Sequence, residues 1–137
     1  MIQALSGDRS GEHLKASIGK TIKSVKLEES TLRIEFRDGT YLSAHDEGQS
    51  CCETRYMRTD DDLDKFAGAT LTGMRIRTAD NMKHEYEEHE VQFLDVETSL
   101  GVFTMSNHNE HNGYYGGFAV QLSSGTVGPN RWWEATL

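Results

Sequence analysis

Apolar residues recur at every second position along much of the chain, a period that predicts β-strands with one buried face. The clearest stretch is 32–37, LRIEFR, in which apolar and charged residues alternate strictly. The Asp38-Gly39 dipeptide that follows is typical of a two-residue hairpin, so a returning strand is predicted over 40–45. An earlier strand is predicted from Thr21 onward, before the polar stretch 28–30.

The same alternation predicts two later strands that carry candidate functional residues. Residues 51–59 are expected to be extended, with one face formed by Cys52, Thr54, Tyr56 and Arg58. Residues 70–77 are expected to place Leu71, Gly73, Arg75 and Arg77 on one face, opposite Thr72, Met74 and Ile76. Side chains two apart on a strand share a face, so each set can act together.

Two short helices and three further strands complete the predicted organisation. One helix covers 10–17. The other begins at the acidic run 60–62 and ends before Gly68, since acids favour a helix start and glycine favours its end. The further strands are predicted over 91–96, 102–106 and 116–122, and the acidic residues 80–90 are predicted to form a solvated loop or hairpin arm.

These elements define the fold class as mainly β (α+β), a mostly antiparallel sheet or small sandwich with one or two short helices. Residues 1–17 are expected to form a loose N-terminal segment or short helix, and 18–137 a single β-rich domain.

Length and charge exclude several classes of protein. The chain has 137 residues, room for one domain, and carries 22 acidic against 14 basic residues. A protein that binds duplex nucleic acid needs a basic surface to displace counterions, so we expect no duplex partner. No apolar run approaches the roughly 18 residues of a membrane span, and the first residues do not resemble a secretory signal. The sequence therefore predicts a cytoplasmic protein without a membrane partner.

The first candidate site is the stretch from His45 to Glu53, which contains Cys51 and Cys52. Adjacent cysteines on a strand point to opposite faces, so the favoured interpretation is structural packing. The alternative is a metal or nucleophile site formed with a nearby histidine. Two cysteines alone are too few for a structural zinc site, which takes four ligands.

The second candidate site is a predicted loop over 106–117. It combines two histidines with turn-forming and aromatic residues: His108, His111, Asn112, Gly113, Tyr114, Tyr115, Gly116 and Gly117. Such a loop can stack on a base and offer N–H groups to a phosphate. It can equally be an ordinary hairpin end, and its histidines are candidate metal ligands or merely solvated.

Arginines form the third candidate site. Arg75 and Arg77 share a strand face, and Arg55 and Arg58 follow the cysteines. Arginine binds carboxylate or phosphate through two parallel hydrogen bonds, so this group indicates a small anionic ligand. The alternative is pairing with the excess of Asp and Glu.

The first two sites resemble a family of small uncharacterised proteins encoded by bacteriophages and prophages. That family pairs a His-Asp-Gln-Asp-Cys-Cys-Glu-like stretch with a later Ser-Asn-Gly-Tyr-Tyr stretch. Here His45-Asp46 and Cys51-Cys52-Glu53 correspond to the first, and Ser106-Asn107 and Asn112-Gly113-Tyr114-Tyr115 to the second, each with an insertion. The resemblance covers about residues 18–122. It implies a phage origin without a known chemistry, and small phage proteins of this kind include oligomeric counter-defence factors that sequester nucleotide signals.

The expected function is therefore ligand binding by a phage-type homo-oligomer in the host cytoplasm, with a small anionic nucleotide-like signal as the ligand. Tyr114 and Tyr115 would stack on it, the glycines would admit it, and Arg75 or Arg77 would meet its charge, with 51–53 as structural support. One alternative is an acidic inhibitor that binds a host protein. The other is a metal-assisted hydrolase whose ligands come from His45, Cys52, His108 and His111. A binding protein without a cofactor is favoured over an enzyme, and zinc is the metal of the hydrolase alternative.

Overall fold

The computed structural model describes residues 9–48, 53–78, 82–83, 88–111 and 117–127. The elements in chain order are α1 (Ser10–Ser17), β1 (Ile22–Glu28), β2 (Thr31–Phe36), β3 (Thr40–Asp46), β4 (Glu53–Arg58), a 3₁₀ helix (Leu63–Phe66), β5 (Leu71–Thr78), β6 (Met82–Lys83), β7 (Glu88–Thr98), β8 (Gly101–His111) and β9 (Val120–Thr126).

The strands form two antiparallel sheets. The first sheet has the order β1-β2-β3-β9, and the second has the order β4-β8-β7-β5, with β6 paired to β7. All of these strand pairs are antiparallel. The predicted mainly β, antiparallel fold class is confirmed, and α1 covers the residues predicted for the first helix.

One hydrophobic core joins the two sheets. Alternation in β2 buries Leu32, Ile34 and Phe36, and the second sheet contributes Phe103 and Met105 to the same cluster. Burial of this apolar surface is the main stabilising contribution, about 25 cal/mol for each Å² removed from water.

Helix α1 is attached to β9 by side-chain hydrogen bonds. The Ser10 hydroxyl accepts a hydrogen bond of 3.0 Å from the Leu122 N–H, and His13 Nδ1 lies 2.6 Å from Ser124 Oγ. Within the described ranges, no helix has the length and apolar character to cross a membrane.

The β2–β3 turn is longer than predicted. Residues 37–39 connect the strands, and Gly39 adopts a φ of +87°, a left-handed conformation that favours glycine. The prediction of a two-residue hairpin was therefore wrong. Three-residue turns of this kind add a left-handed residue after the turn.

A β-bulge changes the face of one predicted strand residue. The β5–β7 register shifts between Leu71 and Gly73, so Leu71 is buried in the core with Met74 and Ile76. The expectation that Leu71 shares a face with Arg75 and Arg77 was wrong. An extra residue in one strand reverses the alternation on either side of it.

The β7–β8 hairpin is longer than the sequence pattern indicated. Both strands have 11 residues, so 107–111 belong to β8 rather than to a loop. Residues 88–90 belong to β7 and pair with β6, which agrees with the hairpin-arm alternative predicted for 80–90. β9 begins at Val120 instead of 116, and the second predicted helix is reduced to a 3₁₀ helix, Leu63–Phe66. The loop prediction for 107–111 was wrong because the buried positions at the end of β8 are polar, which removes the apolar alternation.

Candidate functional site

The outer face of the second sheet, which points away from the first sheet, carries a row of four side chains across four strands. Ser106 of β8 pairs in register with Arg58 of β4 on one side and with Phe93 of β7 on the other. Phe93 in turn pairs with Arg77 of β5. We call Arg58, Ser106, Phe93 and Arg77 the arginine row. It places a cation at each end and a hydroxyl and an aromatic ring between them.

At one end of the row, two arginines approach a single carboxylate. Arg77 Nε and Nη2 donate to Asp95 at 2.5 and 2.9 Å, and Arg75 Nη2 lies 3.6 Å from the same group. The hydrogen bond from Arg77 holds the pKa of the Asp95 carboxyl below its usual value, although burial opposes the shift. Both guanidinium groups remain about half exposed, so this end keeps an excess of positive charge.

At the other end, the exposed Arg58 packs on an aromatic stack. Its guanidinium carbon lies 5.1 Å from the centre of the Tyr56 ring, and Tyr56 stacks on His108 at 4.7 Å with an interplanar angle of 6°. Arg77 lies over Phe93 in the same way, at 4.8 Å. In the part of the chain that the structure describes, no carboxylate pairs with Arg58. This guanidinium is therefore available to an external anion.

A chain of hydrogen bonds fixes His108 beside Ser106 of the row. His89 Nε2 lies 2.9 Å from His108 Nδ1, His108 Nε2 lies 2.9 Å from Ser106 Oγ, and the Ser106 hydroxyl donates to the Arg58 carbonyl. These contacts fit one proton arrangement, in which a neutral His108 accepts from His89 and donates to Ser106. Burial, with the neighbouring charges of His89 and Arg58, lowers the pKa of His108 and favours this neutral form.

Arg77, Phe93 and Ser106 of the row border a shallow cavity of about 350 Å³, a volume within the range of small-molecule sites. Its lining comprises Thr59, Asp60, Asp61, Arg77, Phe93, Val102, Thr104 and Ser106. Asp61 Oδ2 accepts a hydrogen bond of 2.7 Å from the Thr104 N–H, which fixes that carboxylate at the wall. The cavity therefore offers a cation, an aromatic ring, hydroxyls and carboxylates to one ligand.

Other residues predicted for the site lie on the inner face of the second sheet. Asn109 Nδ2 donates to Glu53 Oε2 at 3.0 Å and to the Gly117 carbonyl at 2.9 Å. The structure thus brings Glu53 and Gly117 together, but on the face opposite Arg75 and Arg77. The predicted residues Cys51, Cys52, Asn112, Gly113, Tyr114, Tyr115 and Gly116 lie outside the described residues.

The candidate metal ligands are spread over different parts of the fold. His45 pairs with Glu47 at the end of β3, His108 lies on the outer face of β8, and His111 lies on its inner face, 3.0 Å from Glu90. His108 and His111 therefore do not meet. Within the described ranges, no three His, Cys, Asp or Glu residues form a group that could hold a metal ion. Cys52 lies outside those ranges, and the zinc hypothesis stays a prediction.

Three residues beside the arginines were not predicted from the sequence. The pattern places Phe93 and Asp95 in a strand and His89 in an acidic segment, without marking any of them as functional. Their place beside the arginines depends on the β4-β8-β7-β5 order, which brings together segments far apart in sequence. The available signal was alternation in 89–95, which puts these three residues on one face.

The fold and this exposed polar face define a small two-sheet β protein with a shallow cavity on one sheet. The model of a protein family described as a domain of unknown function, DUF7448, matches residues 15–120, and the chain belongs to that family. The match agrees in extent with the resemblance expected over 18–122. No curated protein and no solved structure matches the chain.

Proposed function

We propose that this protein binds a small anionic, nucleotide-like molecule on the outer face of its second sheet. The observation that carries the proposal is the arginine row, in which two exposed guanidinium groups flank Ser106 and Phe93. Arg77, Phe93 and Ser106 of this row also line the cavity. Arginine is suited to phosphate because its planar fork donates paired hydrogen bonds. Arg75 and Arg77, expected to meet the ligand charge, lie on this face.

The exposed guanidinium groups of the row support an anion. Arg75 and Arg77 lie at one end of the sheet and Arg58 lies at the other. Asp95 is the carboxylate that pairs with Arg75 and Arg77. A phosphate near Arg58 would therefore meet a guanidinium whose hydrogen bonds are not already committed to a neighbouring acid. Attraction of this exposed kind is screened by salt.

The rest of the cavity supports a ligand that carries more than phosphate. Guanidinium planes and aromatic rings stack on bases without regard to base identity. The carboxylates of Asp60 and Asp61 line the wall, and a carboxylate is able to accept hydrogen bonds from the amino or hydroxyl groups of a ligand. A nucleoside phosphate combines an anion, a flat ring and such donors.

The biological setting we propose is a phage-encoded counter-defence protein that sequesters a nucleotide signal in the host cytoplasm as a homo-oligomer. The support is the resemblance of the motifs around Cys51 and Tyr114 to small phage proteins, together with membership of a family without an assigned activity.

Binding of AMP and of adenosine, measured by isothermal titration calorimetry, tests the proposal. We expect AMP to bind more tightly than adenosine, and Arg58→Gln to raise its Kd roughly tenfold, because a charge-assisted hydrogen bond contributes about 1.5–3 kcal/mol. The matched control is Arg37→Gln, which makes the same substitution at another exposed arginine, in a turn of the first sheet.

Equal affinity for AMP and adenosine, or an unchanged Kd in Arg58→Gln, would overturn the proposal. Retained binding in Arg37→Gln is required for the charge effect to be assigned to the arginine row. Loss of binding in both variants would instead indicate a general effect of net charge.

A further inference from the structure

Ser106, His108 and His89 form a hydrogen-bonded chain on the outer face of the second sheet. Ser106 Oγ lies 2.9 Å from His108 Nε2, and His108 Nδ1 lies 2.9 Å from His89 Nε2. A serine hydroxyl at one ring nitrogen of a histidine, with an orienting group at the other, is the arrangement that activates a serine nucleophile. The three residues therefore have the geometry of a nucleophile, a base and a group that positions the base.

Regular strands hold these side chains in place. Ser106 and His108 are two residues apart on β8, so they share its outer face, and the register puts His89 of β7 on the same face. No register shift interrupts the pairing of β8 with β7 or with β4. Tyr56 of β4 stacks on His108 at 4.7 Å, which fixes the plane of the imidazole ring. A site built on strands keeps its geometry better than one built on loops.

The direction of the protons in this chain can reverse. At rest the Ser106 hydroxyl donates to the Arg58 carbonyl at 3.4 Å, which is the longest contact of the chain. When the His108 proton lies on Nδ1 and is donated to His89, the serine hydroxyl can rotate and donate to Nε2 instead. His108 then accepts the serine proton, as a general base does.

His108 is neutral at neutral pH, as this role requires. Burial, with the charges of His89 and Arg58, lowers the pKa of the imidazole. Glu110, which is hydrogen-bonded to Tyr56, opposes the shift. The ring therefore keeps a lone pair for the serine proton at neutral pH.

The groups around Ser106 suit a small carboxylic ester. Ser106 is partly exposed and lines the 350 Å³ cavity, so a substrate can reach its hydroxyl. The exposed guanidinium of Arg58, the register neighbour of Ser106, can stabilise the negative charge that develops on the carbonyl oxygen during attack. Phe93 and Val102 line the same cavity and offer apolar surface to the rest of the ester.

We propose that this protein hydrolyses small carboxylic esters, with Ser106 as the nucleophile, His108 as the general base and His89 as a positioning residue. Ser106 Oγ bonds to the carbonyl carbon while its proton passes to His108 Nε2, and the proton leaves with the alcohol as the ester C–O bond breaks. Water then attacks the acyl group by the same route, which releases the acid and restores the serine. This activity shares the outer face with the binding site proposed above but does not rest on it, because it needs no nucleotide.

Hydrolysis of 4-nitrophenyl acetate, followed by the released nitrophenolate, tests the proposal. We expect Ser106→Ala to lower kcat/KM roughly a hundredfold, the usual effect of losing acid–base activation. His108→Phe, which keeps a ring on Tyr56, should lower it equally, because the two residues act as a unit. The matched control is Ser124→Ala, since Ser124 Oγ also contacts a histidine, His13, at 2.6 Å, but lies on the first sheet. This variant should hydrolyse the ester as the wild type does.

Variants of His89 separate positioning from packing. His89→Gln keeps an acceptor for the Nδ1 proton of His108 and should retain more activity than His89→Leu, which has none. His89→Leu should lower kcat with little change in KM, because the substrate does not touch His89. Equal activity in the two variants would overturn the positioning role.

A fluorophosphonate probe, which forms a covalent bond with an activated serine, tests the wild-type protein without a substitution. We expect peptide mass spectrometry to find the probe on Ser106. The proposal is overturned if the probe labels another serine or none, if Ser124→Ala slows hydrolysis as much as Ser106→Ala, or if His108→Phe keeps full activity. AMP binding without ester hydrolysis would overturn this inference alone, and ester hydrolysis without AMP binding would overturn only the binding function proposed above.

Discussion

His108 illustrates how a single residue on the outer face is controlled by its neighbours. Its ring is held between Tyr56 and the hydrogen-bond chain from His89 to Ser106. Protonation of Nδ1 would remove its ability to accept from His89 and would place a cation near Arg58. Glu110, which bonds Tyr56, is the acidic group that opposes this effect.

This arrangement predicts a loss of stability in acid. The pKa of His108 is lowered in the folded state, so the unfolded chain takes up its proton first as the pH falls. The stabilisation is complete above the ordinary histidine pKa of about 6.5 and disappears as the pH falls through the lowered value. We expect His108→Phe, which keeps a ring on Tyr56, to reduce the stability difference between about pH 7.5 and about pH 5.

Urea unfolding of both proteins at the two pH values measures this difference. An equal loss of unfolding free energy in wild type and His108→Phe would show that other groups control the acid sensitivity. A direct NMR titration of His108 with a pKa at or above the ordinary value would contradict the physical cause itself.

At the scale of elements, the β1–β2 turn is the clearest departure from ordinary backbone geometry. The register pairs Glu28 with Thr31, so Glu29 and Ser30 form a two-residue turn with both φ angles positive. Such turns prefer asparagine and glycine at these two positions. The sequence Glu-Ser therefore carries a conformational cost at this turn.

Replacing Glu29 by asparagine should recover part of that cost. A left-handed conformation costs an ordinary residue about 1–2 kcal/mol, and asparagine tolerates it better, so we expect Glu29→Asn to stabilise the protein by about 0.5–1 kcal/mol. Ser30 stays in place because it bonds β4. Glu28→Gln, which removes the neighbouring exposed charge without a change of turn geometry, is the control in thermal unfolding. Equal gains in both variants would assign the effect to charge.

Strands could be predicted where one face is apolar and the other is polar. Leu32, Ile34 and Phe36 are of this kind, and β2 follows the pattern closely. The ends of β7 and β8 could not be predicted, because Asn107, Asn109 and His111 are buried through polar contacts that replace apolar packing. The bulge beside Leu71 could not be predicted either, because one extra residue in a strand has no distinct sequence pattern.

At the scale of the whole molecule, strand order decides which residues meet. Arg58 and Arg77 can be identified as candidate ligand-binding residues from the sequence. Phe93 and Ser106 lie between them because β8 and β7 lie between β4 and β5. The same sheet separates Arg77 from Gly117, which were expected to share one pocket. The arginines could thus be predicted as candidates from their residue type, whereas their neighbours could be identified only from the strand order of the fold.

The central claim is that the outer face of the second sheet binds a phosphate-bearing nucleotide. The most direct measurement is a two-dimensional ¹⁵N NMR titration of the wild-type protein with AMP, with backbone shifts mapped on the structure. We predict that the largest shifts fall on Arg58, Phe93, Ser106 and Arg77 and weaken as salt is added. Shifts confined to the first sheet, or equal shifts with adenosine in place of AMP, would contradict it.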